Sequence, residues 1–127
     1  MSSNVNSILI IGLGMIGSSI ALASKSKGIT VYGFDIDNSV VLDAIKKDII
    51  DKDAGKIEEI NSKESVKNID LIILAVPPKQ TLDVLNKLDG LWNTSVTITD
   101  TSSVKNHIKI EDVSNIVLSH PIAGSDK

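Results

Sequence analysis

Gly12-Leu13-Gly14-Met15-Ile16-Gly17 follows the apolar run Ser7–Ile11 and opens a helix-like stretch. Glycine at 12 permits a tight turn off a strand, glycine at 14 leaves the backbone open to a pyrophosphate, and glycine at 17 lets the helix pack closely on a sheet. The helix start, beside Met15 and Ile16, then turns unpaired N–H groups and a partial positive charge toward phosphates. A second strand-like run closes in Gly33-Phe34-Asp35, which puts the acid 18 residues after Gly17 and 23 after Gly12. A carboxylate at that place accepts from both hydroxyls of an adenosine ribose and repels a 2′-phosphate, so NAD is expected in preference to NADP. Asp37 is an alternative acid, although its position suits the start of the next turn. A glycine-rich turn without a ligand is the competing reading of residues 12–17.

Two more apolar runs end in residues suited to a ligand. In Ala75-Val76-Pro77-Pro78 a small residue and a rigid turn let a cofactor pass close to the backbone, and a plain strand-to-helix turn is equally compatible. Asp100-Thr101-Ser102-Ser103-Val104-Lys105 places hydrogen-bonding side chains where nicotinamide or substrate would sit, but serine and threonine also cap helices. His120 follows the apolar residues 116–118 and Ser119 and precedes Pro121. A neutral imidazole held there can take a proton from an alcohol while hydride leaves the same carbon. A histidine satisfied by backbone in a turn remains the alternative. His107, among polar neighbours, is given no role.

The elements that must carry these groups alternate. Strands are expected at Ser7–Ile11, Thr30–Phe34, Asp70–Val76, Val96–Thr99 and Ile116–Leu118, and helices at 16–27, 39–47 and 78–88. Near-continuous Ile, Leu and Val in four of the strands suits burial on both faces of a parallel sheet. Helical spacing assigns Ile16, Ile20 and Ala23 to the inner face of the first helix, which stops at Gly28. Val41, Leu42 and Ile45 form the inner face of the second, begun by an Asn38-Ser39 capping pair, and Leu82, Leu85 and Leu88 that of the third. The polar stretch 48–69 is weakly helical at best and is expected over one sheet edge. The fold class is α/β: a Rossmann-type, doubly wound, mainly parallel sheet with helices on both faces.

Length and composition bound the rest. The chain has 127 residues, 42% hydrophobic, with Tyr32, Phe34 and Trp92 its only aromatic residues, and suits one domain over 1–127 with an aliphatic core. A net charge of −3 argues against nucleic acid as a partner. The absence of cysteine removes disulfides and thiolate metal sites, and no metal is expected. No apolar run approaches the roughly 20 residues of a membrane helix, and the first residues do not form a signal peptide. A soluble, cytoplasmic protein is expected.

The segments "GLGMIGSSIA", "YGFD", "IID" at 49–51, "DLIILAVP", "DTSSVK" and "HPIAGSDK" together resemble the nucleotide-binding domain of the prephenate dehydrogenase family of tyrosine biosynthesis. The glycine loop is common to many dehydrogenases, whereas D-x-x-S-x-K followed by H-P-[IM]-A-G-[ST]-[DE] is specific. The resemblance implies oxidative decarboxylation of prephenate to 4-hydroxyphenylpyruvate, with hydride passing to NAD. It implies that His120 accepts the proton of the ring hydroxyl and that Ser103 helps to position His120 and nicotinamide. Gly124, Ser125 and Asp126 would belong to the same loop. Arogenate is an alternative substrate within the family. Family members also carry a helical domain that forms a homodimer and brings arginine and histidine to the substrate carboxylates. All 13 basic residues here are lysine and the chain ends at Lys127, so that domain is expected to be absent and these residues to bind NAD but turn over prephenate poorly. Dehydrogenases of the 3-hydroxyacid or 6-phosphogluconate type share the loop but not "HPIAGSDK". A non-catalytic NAD-sensing module is the alternative from another class.

Overall fold

The computed structural model describes residues 6–55, 60, 67–88 and 96–101. Their order is β1 (Ser7–Ile11), α1 (Met15–Ser26), β2 (Thr30–Phe34), α2 (Asn38–Lys46), β3 (Lys52–Asp53), β4 (Leu71–Leu74), α3 (Pro78–Lys87) and β5 (Thr97–Asp100). The strands form one sheet in the order β3-β2-β1-β4-β5, and every pairing is parallel. The expected strand at Ile116–Leu118 lies outside the described residues.

Each central strand is apolar throughout because its alternate residues serve opposite cores. Ile8 and Ile10 of β1, Val31 of β2 and Leu71 and Ile73 of β4 pack with Ile20 and Ala21 of α1 and Val41 and Ala44 of α2. Leu9, Ile11, Ile72, Leu74 and Ile98 pack on the other face with Val84 of α3 and Leu88 just beyond it. Burying one such side chain contributes about 1.5–3 kcal/mol, so two full faces hold the sheet between its helices.

The helices rest on narrower stripes than those expected. α1 buries Gly17, Ile20, Ala21 and Ser24, leaving Ile16 38% exposed. The small residues let this helix lie close to the sheet, which bulkier neighbours would prevent. α2 buries Val41 and Ala44, while Leu42 is 57% and Ile45 38% exposed. On α3 the inward residue is Val84, with Leu85 half-buried and Leu82 69% exposed.

The ends of the elements also have local causes. α1 closes with Gly28 at φ +83°, its N–H donating to Lys25 O and that of Ile29 to Ser24 O, which satisfies two of the last free carbonyls. α2 repeats the motif with Asp48 at φ +60°, and Lys25 Nζ reaches both the Asp48 carboxylate (2.7 Å) and its carbonyl (3.0 Å). The cap of α2 is Asp37 rather than the Asn38-Ser39 pair: its Oδ1 accepts from Ser39 N (3.0 Å) and Ser39 Oγ (2.7 Å). Within the stretch that looked weakly helical, Lys52 and Asp53 instead pair with Tyr32 and Gly33 at the sheet edge. β4 stops at Leu74, short of the expected Val76, and β5 runs one residue later than expected. No helix among the described residues is long and apolar enough to cross a membrane.

Two outcomes follow from these packing details. The Ser24 hydroxyl is buried without a partner among the described residues, so Ser24→Ala should raise the unfolding free energy by about 1 kcal/mol in urea denaturation, at unchanged m value. A fall in stability would mean that the hydroxyl has an acceptor. The bonds from Ser39 hold the Asp37 carboxyl below its ordinary 3.8, so the cap stabilises fully above that pH and is lost as the pH falls through the lowered value. Wild type should therefore melt above Asp37→Ala at pH 6, and the gap should begin to narrow below pH 3.8 and shrink further as the pH passes the lowered value; a gap independent of pH would contradict a charged cap.

Candidate functional site

The strand order reverses between β1 and β4, and in open parallel sheets the crevice for a ligand lies beyond the carboxyl ends of the strands at that reversal. A cleft of about 630 Å³ occupies this place. Ile11, Gly12 and Gly14 enter it from β1 and its turn, Phe34, Asp35 and Ile36 from β2, and Ala75, Val76 and Pro77 from the exit of β4. α3 supplies the remaining wall through Gln80, Asp83, Val84 and Lys87.

The three glycines of the turn have three different physical reasons. Gly12 lies at φ +102°, and a Cβ on it would sit 2.6 Å from the Ala75 carbonyl oxygen. A Cβ on Gly17 would collide with the Gly12 carbonyl oxygen, so the first turn of α1 rests directly on the turn before it. Gly14 differs from both. Its φ is −73° and a Cβ there would meet nothing within 4 Å. Packing within the described chain does not require glycine at 14, while a ligand lying on the backbone there would.

The surroundings of Gly14 suit an anion. It is the N-cap of α1, no side chain among the described residues caps that first turn, and no acidic residue stands in it. Met15, directly after Gly14, is 86% exposed, and Ile36, which lines the cleft next to Asp35, is 89% exposed. Asp35 is held by main chain at both oxygens: Oδ2 accepts from Leu13 N at 2.8 Å and Oδ1 from Asp37 N at 3.0 Å. Each oxygen keeps one further lone pair for a hydroxyl.

Six of the residues singled out from sequence for a cofactor, Gly12, Gly14, Asp35, Ala75, Val76 and Pro77, therefore share one cleft. Met15 and Ile16 begin α1 directly after Gly14 but do not line the cleft, and Gly17 faces Gly12 rather than the opening. Asp100 ends β5, opposite Leu74, and does not line the cleft. Thr101 beside it is buried, its N and Oγ1 donating to Leu74 O at 3.1 and 3.3 Å. Ala75 lines the cleft, and its carbonyl also lies against Gly12. His120, Ser103, Gly124, Ser125 and Asp126 lie outside the described residues. The contribution of α3 was missed, although positions 80, 83, 84 and 87 follow helical spacing along one face.

The family model of the prephenate dehydrogenase nucleotide-binding domain matches residues 20–127. The chain belongs to that family. The match begins after the glycine turn, so the geometry at residues 12–17 is separate support for nucleotide binding. Prephenate dehydrogenase of Bacillus subtilis is 35% identical over 139 aligned residues, covering 100% of this chain and 35% of the relative. The chain thus spans about a third of that protein's length. Among solved structures, prephenate dehydrogenase from A. aeolicus in complex with hydroxyphenyl propionate and NAD+ superimposes with a TM-score of 0.66 at 25% identity, covering 92% of this chain and 41% of that one. Arogenate dehydrogenase from Synechocystis gives the same TM-score and identity, covering 87% and 37%.

The glycines can be told apart by stability. Gly17→Ala should cost about 3 kcal/mol, because backbone must move to admit its methyl, whereas Gly14→Ala should stay within about 1 kcal/mol, the loss of a favourable N-cap residue. Chemical denaturation of both variants checks this, and equal losses would contradict the assignment of Gly14 to a ligand.

Proposed function

We propose that these residues bind NAD for the oxidative decarboxylation of prephenate to 4-hydroxyphenylpyruvate. The observation that carries the reading is Gly14, a glycine that the described packing does not require, at an uncapped helix start across the turn from Asp35. In this reading the N–H groups of α1's first turn hold the pyrophosphate, and the free lone pairs of Asp35 take the adenosine ribose hydroxyls. The apolar wall of Ile36, Val76 and Pro77 suits the flat face of adenine. Bound nicotinamide supplies hydride acceptance. NAD+ in the A. aeolicus neighbour supports the cofactor.

His120 is the proton acceptor in this reading, and Ser103 positions it. Support comes from the motifs D-x-x-S-x-K and H-P-I-A-G-S-D, both inside the matched stretch 20–127. The same reading places the enzyme in the cytoplasm, where the family's helical domain would form a homodimer and complete the carboxylate contacts. The 127 residues themselves contain no arginine, the side chain whose planar fork best fits carboxylates, so alone they should turn over prephenate poorly. Arogenate is the alternative substrate, with support from the Synechocystis neighbour.

Calorimetric titration with NAD and with NADP tests the cofactor reading. Saturable NAD binding, NADP weaker by about tenfold or more, and loss of NAD binding in Gly14→Val are expected. Equal affinity for both cofactors, or full binding by Gly14→Val, would contradict it.

A further inference from the structure

Asp35 has a second task in the structure. Main-chain pairing of β1 with β2 ends where Gly12 N–H donates to Phe34 O at 2.8 Å. The next donor along the chain, Leu13 N–H, has no strand carbonyl opposite it and donates to Asp35 Oδ2 at 2.8 Å instead. The carboxylate thereby serves as one more rung of the ladder, made from a side chain. It is itself immobilised, since Oδ1 accepts from Asp37 N at 3.0 Å. Leu13 lies between Gly12 and Gly14 and is only 4% exposed, its side chain sealed into the core beneath the turn. Fixing its amide therefore fixes the backbone on both sides of it.

We propose that Asp35 is a positioning residue for the glycine turn, holding it in shape before any ligand arrives, in addition to any contact with ribose. The inference rests on the dinucleotide reading only in its consequence for binding. One side chain then couples cofactor choice to turn geometry. Replacing Asp35 to admit a 2′-phosphate also removes the acceptor of Leu13 N–H, so affinity for the phosphates falls even where no ribose hydroxyl is present to be recognised.

The test removes the hydroxyls from the ligand and the acceptor from the protein. ADP and 2′,3′-dideoxy-ADP are titrated into wild type, Asp35→Ala and Asp35→Asn. The two variants carry the same charge, but asparagine keeps an oxygen that can accept from Leu13 N–H. Asp35→Ala is expected to bind dideoxy-ADP about tenfold more weakly than Asp35→Asn, the effect of one lost hydrogen bond in the turn. Equal binding of dideoxy-ADP by the two variants would overturn the inference. Amide exchange in the ligand-free chain gives an independent reading: exchange at Leu13 should accelerate about tenfold or more in Asp35→Ala and be largely restored in Asp35→Asn, with Ser18 in α1 unchanged. Unchanged exchange at Leu13 in Asp35→Ala would likewise overturn it. If wild type binds neither nucleotide, the dinucleotide reading fails and amide exchange alone decides the positioning role. Asp35→Leu, close in shape to asparagine and without an acceptor, replaces the alanine variant if that variant unfolds.

Discussion

The fold and its cleft depend on a contact that no side chain can occupy. The Gly12 carbonyl lies under the first turn of α1 at Gly17, and the Ala75 carbonyl lies against Gly12, so β1, α1 and the exit of β4 meet backbone to backbone. This close approach brings the start of α1 to the carboxyl end of the sheet. It also explains the narrow inner stripe of the helix: Gly17, Ala21 and Ser24 are small because α1 lies low over the sheet from its first turn. A methyl group at Gly17 would lift the helix and, with it, the N–H groups that make the cleft attractive to an anion.

Around this contact, aspartates complete hydrogen bonds that the strands leave open. Asp70 Oδ2 accepts from Asn6 N and Ser7 N at the start of β1, and Asp51 Oδ2 accepts from Val31 N near the start of β2. Asp35 does the same at the opposite end, where the donor belongs to the glycine turn. At the amino ends of the strands this is a structural device, reinforced where Lys25 bridges Asp48 and Asp51. At the carboxyl end the same device lies inside the cleft, so a carboxylate that tidies backbone hydrogen bonding is also available to a ligand.

The strands were legible because burial on both faces demands unbroken apolar residues: Ser7–Ile11 and Thr30–Phe34 coincide with the expected bounds. The glycine turn and Asp35 were legible because their spacing is imposed by a crossing that tolerates few alternatives. Helix faces were legible in part, with Ile20, Val41 and Leu88 buried as expected, and the misses share one reason. The largest apolar side chains were assigned inward, whereas the close approach to the sheet selects Ala21 and Ala44 and leaves Leu42 and Leu82 outside. β3 could not be read because a polar Lys-Asp pair becomes a strand only when β2 offers it an edge. The α3 wall of the cleft escaped for a related reason: which of Gln80, Asp83, Val84 and Lys87 face inward depends on how the helix is rotated about its axis. His120 and Ser103 were recognised through motifs, and their place relative to the cleft lies outside the described residues.

The central claim is that a dinucleotide occupies the cleft at the strand-order reversal and lies over Gly14. Its most direct test is the amide NMR spectrum of the labelled chain recorded with increasing NAD. The account predicts saturable shifts centred on residues 12–16, 35–36 and 75–84, while Lys25, Asp48 and Asp51 at the opposite edge stay unmoved. Shifts centred on that opposite edge, or no saturable shift at the glycine turn, would contradict it.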